Sequence, residues 1–231
     1  MEPGFKWTAA IALAATAVGF GAEARAATAA YPQMAPLAQY RSASAAEEIA
    51  MARSAAPASI ADKAEVRVMT ATGYETAVKG SNGFVCLVER SWADGFEDPQ
   101  FWNPKVRSPQ CFNAVAARAV LPIYLERTRQ VLHGGLTHEG MAKLAKAEAA
   151  HAAPPAGAVC FMMSKQGYLA DGIGHAHPHV MLFIAPTPPA AWGANLPASP
   201  VGADRSKADA FTTIYVTVPK WSDGTPGMDM R

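Results

Sequence analysis

The sequence predicts an α+β fold with a largely antiparallel sheet of about five or six strands, an N-terminal helix and a central helical pair. Three observations carry this. Short runs with a two-residue period cluster on both sides of a stretch with helical period. Turn residues punctuate those runs at strand-length intervals. The order helix, strands, helices, strands lacks the regular alternation of a parallel α/β sheet.

Residues 1–26 read as a signal peptide. Lys6 precedes an apolar run from Trp7 to Phe20, and Ala24-Arg25-Ala26 supplies the small residues of a cleavage site. The run is shorter than the ~20 residues of a membrane span, and no later stretch reaches that length, so the mature chain is expected to lack a transmembrane segment. Residues 27–43 have no period and read as a flexible leader, leaving 44–231 as a single α+β domain. Ser44 and Glu47 form a capping box that opens a helix from Ala45 to about Ala55, ahead of Pro57.

Three strands are expected next. Val66, Val68 and Thr70 alternate with Glu65, Arg67 and Met69, and Tyr74–Lys79 follows Thr72-Gly73. Gly80-Ser81-Asn82-Gly83 then predicts a hairpin turn, because these residues tolerate positive φ. The run Phe84–Arg90 is apolar on both faces, as in a central strand. Ser91–Phe112 has no period but carries Trp92, Phe96, Phe101 and Trp102, and reads as a packed loop lying over the domain. Leu121, Tyr124, Leu125, Thr128, Val131 and Leu132 form the apolar stripe of a helix, with Pro122 in its first turn and Gly134 past its end. Thr137 caps a second helix bearing Met141, Leu144 and Ala145. Strands are expected again at Ala158–Ser164, His175–Ile184 and Phe211–Val218, with a Pro/Ala/Gly-rich crossing before the last. The strand–helix–strand order resembles PAS-like or profilin-like sensor domains at fold level, which implies no function.

Charge and composition narrow the partners. The formal charge is +1, with 17 % charged and 50 % hydrophobic residues. That balance gives no electrostatic basis for nucleic-acid binding and leaves a small molecule or a metal ion as the expected partner. Much of the alanine lies in the N-terminal third, where it says little about burial. Three cysteines in an exported chain suggest one disulfide and one leftover thiol. All three pairings are open; Cys86–Cys111 is preferred, with Cys160 as a buried thiol in an apolar run.

One cluster carries chemistry. His175, His177 and His179 are half of the six histidines within five residues. On an extended backbone they share a face with Met181, with same-face neighbours ~7 Å apart. Neutral imidazoles bind zinc, copper, iron or nickel, at ~2.0 Å for zinc. Met181, with Met162, Met163, Met228 and Met230, tilts the choice toward copper. Zinc or copper is therefore the candidate cofactor, and Trp92, Phe101 and Trp102 are candidate ligand-binding rings around the histidines. A polar or pH-sensitive ligand pocket and a structural role at a strand entrance both stand beside the metal reading, since Pro178 favours a sheet edge and could splay the histidines.

Under the alternative of a metal-dependent hydrolase, the histidines would hold a metal-bound water, and Asp171 or Glu139 would shuttle protons. His133, His138, Glu139 and His151 are further possible ligands, each more readily explained as solvated surface. An interaction module is a third view, resting on the Pro/Ala segments. Asp94, Glu97 and Asp98 lack calcium-loop spacing and read as a loop surface. Ser164-Lys165 would point to opposite faces of a strand.

The runs Val78–Cys86, Phe101–Lys105, Met162–Leu169 and Lys220–Gly224 resemble a group of uncharacterised exported bacterial proteins, over about residues 44–226. The resemblance implies an exported bacterial protein and brings no activity, cofactor or functional residue.

Overall fold

Strand pairing defines the molecule. In the computed structural model, which describes residues 30–134, 136–175, 177–204 and 211–227, eight strands form one sheet in the order β2-β1-β3-β4-β5-β6-β8-β7. They are β1 (Glu65–Met69), β2 (Tyr74–Val78), β3 (Val85–Glu89), β4 (Ser108–Phe112), β5 (Val159–Met162), β6 (His179–Ile184), β7 (Val201–Asp204) and β8 (Thr212–Thr217). Only β1 and β3 run parallel. Five helices flank the sheet: α1 (Ala45–Arg53), α2 (Ala58–Ala61), α3 (Ala114–Ala119), α4 (Leu121–Leu132) and α5 (His138–Ala149). The α+β class and the largely antiparallel sheet stand. The strand number is eight, against the five or six expected. The proposed signal peptide lies outside the described residues.

The two extra strands explain the discrepancy. β4 occupies the end of the stretch read as a loop, and Pro109 disguises it. Pro109 pairs with Val88 of β3, whereas β5 joins β4 only at Cys111 and Phe112. The missing N–H therefore falls where β4 has no second neighbour, which a proline tolerates. β7 lies within the Pro/Ala/Gly-rich crossing and pairs along β8.

The turn after β2 is real, but it is not a hairpin. The chain crosses the start of β1 and sets β3 on its far side. A Cβ at Gly80 would stand 2.1 Å from the Glu65 nitrogen, so only glycine permits this crossing. Ser81 N–H donates to Lys63 O, Asn82 Nδ2 to Ile60 O, and Glu65 N–H to Phe84 O.

One face of the sheet is closed by α1 and α2. Ala52, Ala55, Ala56, Ala61 and Ala64 pack against Val66, Cys86, Val88 and Cys111. The alanines of this region thus do carry information about burial, since their small side chains let the helices approach the strands. Cys86 and Cys111 face each other across β3 and β4 and form the disulfide. Cys160 is the buried free thiol. The bond links two adjacent strands, not a strand to a loop.

The other face is covered by α3, α4, α5 and the segment after β3. Asn113 Oδ1 accepts from Ala116 N–H to start α3, and Thr137 Oγ1 accepts from Gly140 N–H to start α5. Arg127, outside the apolar stripe of α4, is nevertheless only 3 % exposed. It forms a two-pronged pair with Glu148 of α5 at 2.9 and 2.6 Å, and donates to the carbonyls of Trp92, Ala93 and Asp94. One guanidinium therefore pins two helices and the loop together.

Part of the leader is packed as well. Tyr40 is fully buried, its hydroxyl donates to Trp102 O, and its carbonyl accepts from Arg90 Nε at 2.6 Å. Arg90 in turn pairs with Glu48 of α1, both nearly without solvent contact.

Candidate functional site

The two-residue period of the strands builds the site. Opposite pairs across the sheet place Glu89 beside Ser108, Leu87 beside Gln110, Met162 beside His179, Met181 beside Tyr215, and His179 beside Thr217 on one face. Helices α4 and α5 stand off from this face and leave a cleft of about 1190 Å³. Ile123, Tyr124 and Arg127 of α4, Met141, Ala145 and Glu148 of α5, and the loop from Ala93 to Asp98 complete its walls. The volume lies somewhat above the usual range of ligand sites, and the mixture of apolar walls with a few polar groups is typical of them.

All three predicted histidines and Met181 line this cleft, although the expected strand does not form in full. β6 starts only at His179. Gly174 adopts a left-handed conformation at φ 64°, and Pro178 comes just before the strand. His175 and His177 consequently project from exposed non-strand backbone while His179 is 7 % exposed. Among the described residues, no group of three His, Cys, Asp or Glu side chains is arranged to hold a metal ion.

His179 has a defined protonation pattern. Its Nδ1 lies 2.7 Å from the His177 carbonyl, which can only accept, so Nδ1 bears the hydrogen and Nε2 is the acceptor of the neutral ring. Burial lowers its pKa, opposed by that hydrogen bond. The ring sits edge-on to Tyr215 at 5.6 Å.

At the opposite end of the cleft stands Glu89, a carboxylate within the run Phe84–Arg90 that the sequence predicts as an apolar central strand. The period of β3 places it on the same face as Val85 and Leu87. It is 2 % exposed. Its Oε2 accepts from Gln110 Nε2 at 2.7 Å, and the same nitrogen donates to Ser108 Oγ. Gln110 Oε1 accepts from the Cys160 thiol at 3.5 Å, which fixes the amide orientation. The other carboxyl oxygen, Oε1, is buried and has no hydrogen-bond partner among the described residues. Burial pushes the carboxyl up to about 8, with Arg127 opposing and Asp94 reinforcing the shift.

Asp94 also lines this end. Its side chain is exposed at the mouth, where the protein packed around it and the like charges of Asp98 and Asp204 outweigh the nearby Arg127 charge. Its carboxyl is raised to about 7. The acidic trio read as a loop surface, Asp94, Glu97 and Asp98, thus forms part of the cleft wall.

The other sequence candidates lie elsewhere. Trp92 and Phe101, both nearly fully buried, and the half-buried Trp102 do not line the cleft. They form a cluster with Tyr40, Met69 and Val131, and Trp92 Nε1 donates to Thr128 Oγ1 at 2.9 Å. Packing, not ligand contact, explains these rings; Phe96 is the loop aromatic that reaches the cleft. Asp171 is held outside it by Tyr31, Tyr168 and Lys105. The exposed Glu139 pairs with Lys143, and His133 and His151 are exposed away from the cleft. The side chain of His138 lies outside the described residues. Ser164 and Lys165 form no dyad: Ser164 meets Ser54, and Lys165 meets Asp223.

Comparison of the chain with protein-family models, curated proteins and solved structures finds no match.

Proposed function

We propose that the protein is an exported small-ligand-binding protein whose ligand occupies the cleft between the sheet and helices α4 and α5. The observation that carries this reading is the cleft itself. It is large, its walls are mostly apolar, and its sheet floor presents polar groups at both ends: Glu89 with Gln110 at one, and His179 with its neighbouring histidines at the other. Apolar walls supply affinity without direction, while the fixed donors and acceptors orient the guest.

Export is supported by the apolar leader sequence and by the Cys86–Cys111 disulfide, a bond that persists in oxidising compartments. No described helix is long and apolar enough to cross a membrane. Nothing favours metal-dependent hydrolysis over binding, because the described ligand-type side chains are not gathered around one point.

Binding of N-phenyl-1-naphthylamine, a neutral apolar dye, tests the reading. Its fluorescence should rise saturably with one site per chain. Met181→Trp and Ala145→Trp, which fill the cleft from the floor and from α5, should each weaken the dye at least about tenfold. A linear, non-saturating response in the folded wild type would overturn the proposal.

A further inference from the structure

We propose that the ligand of this cleft carries a protonated amine, seated between Glu89 and Asp94, with an apolar body lying along Met162 and Met181. The inference rests on the binding reading above and specifies its ligand class.

Two independent observations point to a cation. Glu89 Oε1 is buried at the cleft wall without a hydrogen-bond partner among the described residues. Such an atom is costly to leave unmade, so it marks a place where a donor is missing. Separately, the loop that follows β3 lines the cleft with Asp94, Glu97 and Asp98, and the Asp94 charge acts on the Glu89 carboxyl. The buried cations of the cleft wall are already committed: Arg90 pairs with Glu48, and Arg127 pairs with Glu148 and donates to three backbone carbonyls, its guanidinium 4.9 Å from the centre of the Phe96 ring. The unbalanced charge is therefore negative.

The geometry also selects the kind of cation. A metal ion needs several ligand atoms converging within bonding distance, and among the described residues no such group exists. An ammonium is less demanding. It satisfies one carboxylate with a charge-assisted hydrogen bond, shares its remaining hydrogens with a second, and tolerates an apolar tail. Met162 and Met181, from neighbouring strands of the floor, offer polarisable and adaptable surface to that tail. Binding moves one proton in a balanced way: the ammonium keeps its hydrogens, and a carboxyl that held a proton releases it to solvent.

A matched trio tests the inference: 4-phenylbutylamine, 4-phenylbutanol and 4-phenylbutyrate, titrated calorimetrically into the full chain at pH 7.5. The amine should bind at least about tenfold more tightly than the alcohol, and the carboxylate more weakly than both. Its apparent heat should change with buffer ionisation enthalpy, reporting proton release. Glu89→Gln should cut amine affinity about tenfold and leave the alcohol within about twofold; Asp94→Asn should act in the same direction with smaller effect.

Equal binding of amine and alcohol, preference for the carboxylate, or an amine affinity indifferent to both substitutions would overturn the inference and leave the cleft reading intact. Saturable dye binding with no member of the trio bound would do the same. Failure of the dye and all three compounds would remove the cleft reading itself.

Discussion

The two faces of the sheet are made from the same strands and have opposite characters. On β3, Cys86 and Val88 point to one side and Leu87 and Glu89 to the other, and all are buried. The first side is closed. Alanines from α1 and α2 settle onto it, and a covalent bond ties β3 to β4. The second side is closed only in part: Leu121 and Ile123 of α4 join its apolar core, while the cleft opens where the Arg127–Glu148 pair joins α4 to α5 and Arg127 grips the loop carbonyls. Small side chains bring a helix down onto a sheet, whereas a buried ion pair braces helices at a distance. The contrast teaches that the cleft is a property of what the helices rest on, not of the strands beneath.

Removing the brace should have the largest effect. Arg127→Met leaves the Glu148 carboxylate buried and unpaired and frees three carbonyls, at a cost of ~3–5 kcal/mol in chemical denaturation. Dye binding should be lost with it. A stability unchanged within ~0.5 kcal/mol would mean that the open face does not depend on this pair.

The closed face should be next. Cys86→Ala/Cys111→Ala should lower stability by ~3 kcal/mol through the chain-entropy effect, while affinity for the dye in the folded fraction remains. Loss of binding at temperatures where the variant is folded would show that the two faces are coupled. Thiol titration of the denatured, unreduced wild type should find one reactive cysteine.

Glu89 should set a pH dependence on the open face alone. Its carboxyl ionises at about 8 in the fold and at ~4.3 in the unfolded chain. Between those values the native state holds more protons than the unfolded state, so stability falls as pH rises and levels off above about 8. Arg127, Asp94 and the Gln110 amide all face this group and set its position. Glu89→Gln should flatten the profile, matching wild type near pH 5 and exceeding it by ~1–4 kcal/mol near pH 9. Parallel curves for the two proteins would contradict the burial of an unpartnered carboxyl.

The smallest change is expected at the exposed histidines. His175→Ala/His177→Ala should alter stability by less than ~0.5 kcal/mol. Elemental analysis after zinc or copper addition sharpens the point. Stoichiometric metal that vanishes in this variant would revive the metal reading at the histidine end of the cleft.

Much of this fold could be read from residue patterns, and the failures have physical causes. The alternation in β8, the Ser44 and Thr137 caps, the α4 stripe and the Cys86–Cys111 pairing survive in the structure, whereas the alternation expected of β1 does not: its pairing shifts between Val66 and Arg67, which leaves Met69 buried and Val68 half-buried. β4 escaped because its residues Ser108, Pro109 and Gln110 look like loop, yet two of them floor the cleft and therefore break the apolar rule. The crossing at Gly80 was invisible because a turn sequence records backbone conformation and not which strand lies beneath it. At the site, the histidine cluster was prominent in sequence and does line the cleft, though not as an extended row. Glu89 offered one overlooked cue, a carboxylate continuing the inward face of a fully apolar strand. Arg127 offered none, since its partners Glu148 and the carbonyls of residues 92–94 come from distant chain positions.

The packed leader around Tyr40 also holds the body of the protein. Three backbone carbonyls there cap arginine side chains from the body of the protein: Arg90 takes Tyr40, and Arg107 takes Gln39 and Arg41. A chain trimmed to begin at Ser44 would expose two guanidinium groups and empty the socket filled by the Tyr40 ring. The smallest piece able to stand alone therefore starts upstream of the first regular helix, near Met34, and limited digestion should stall there.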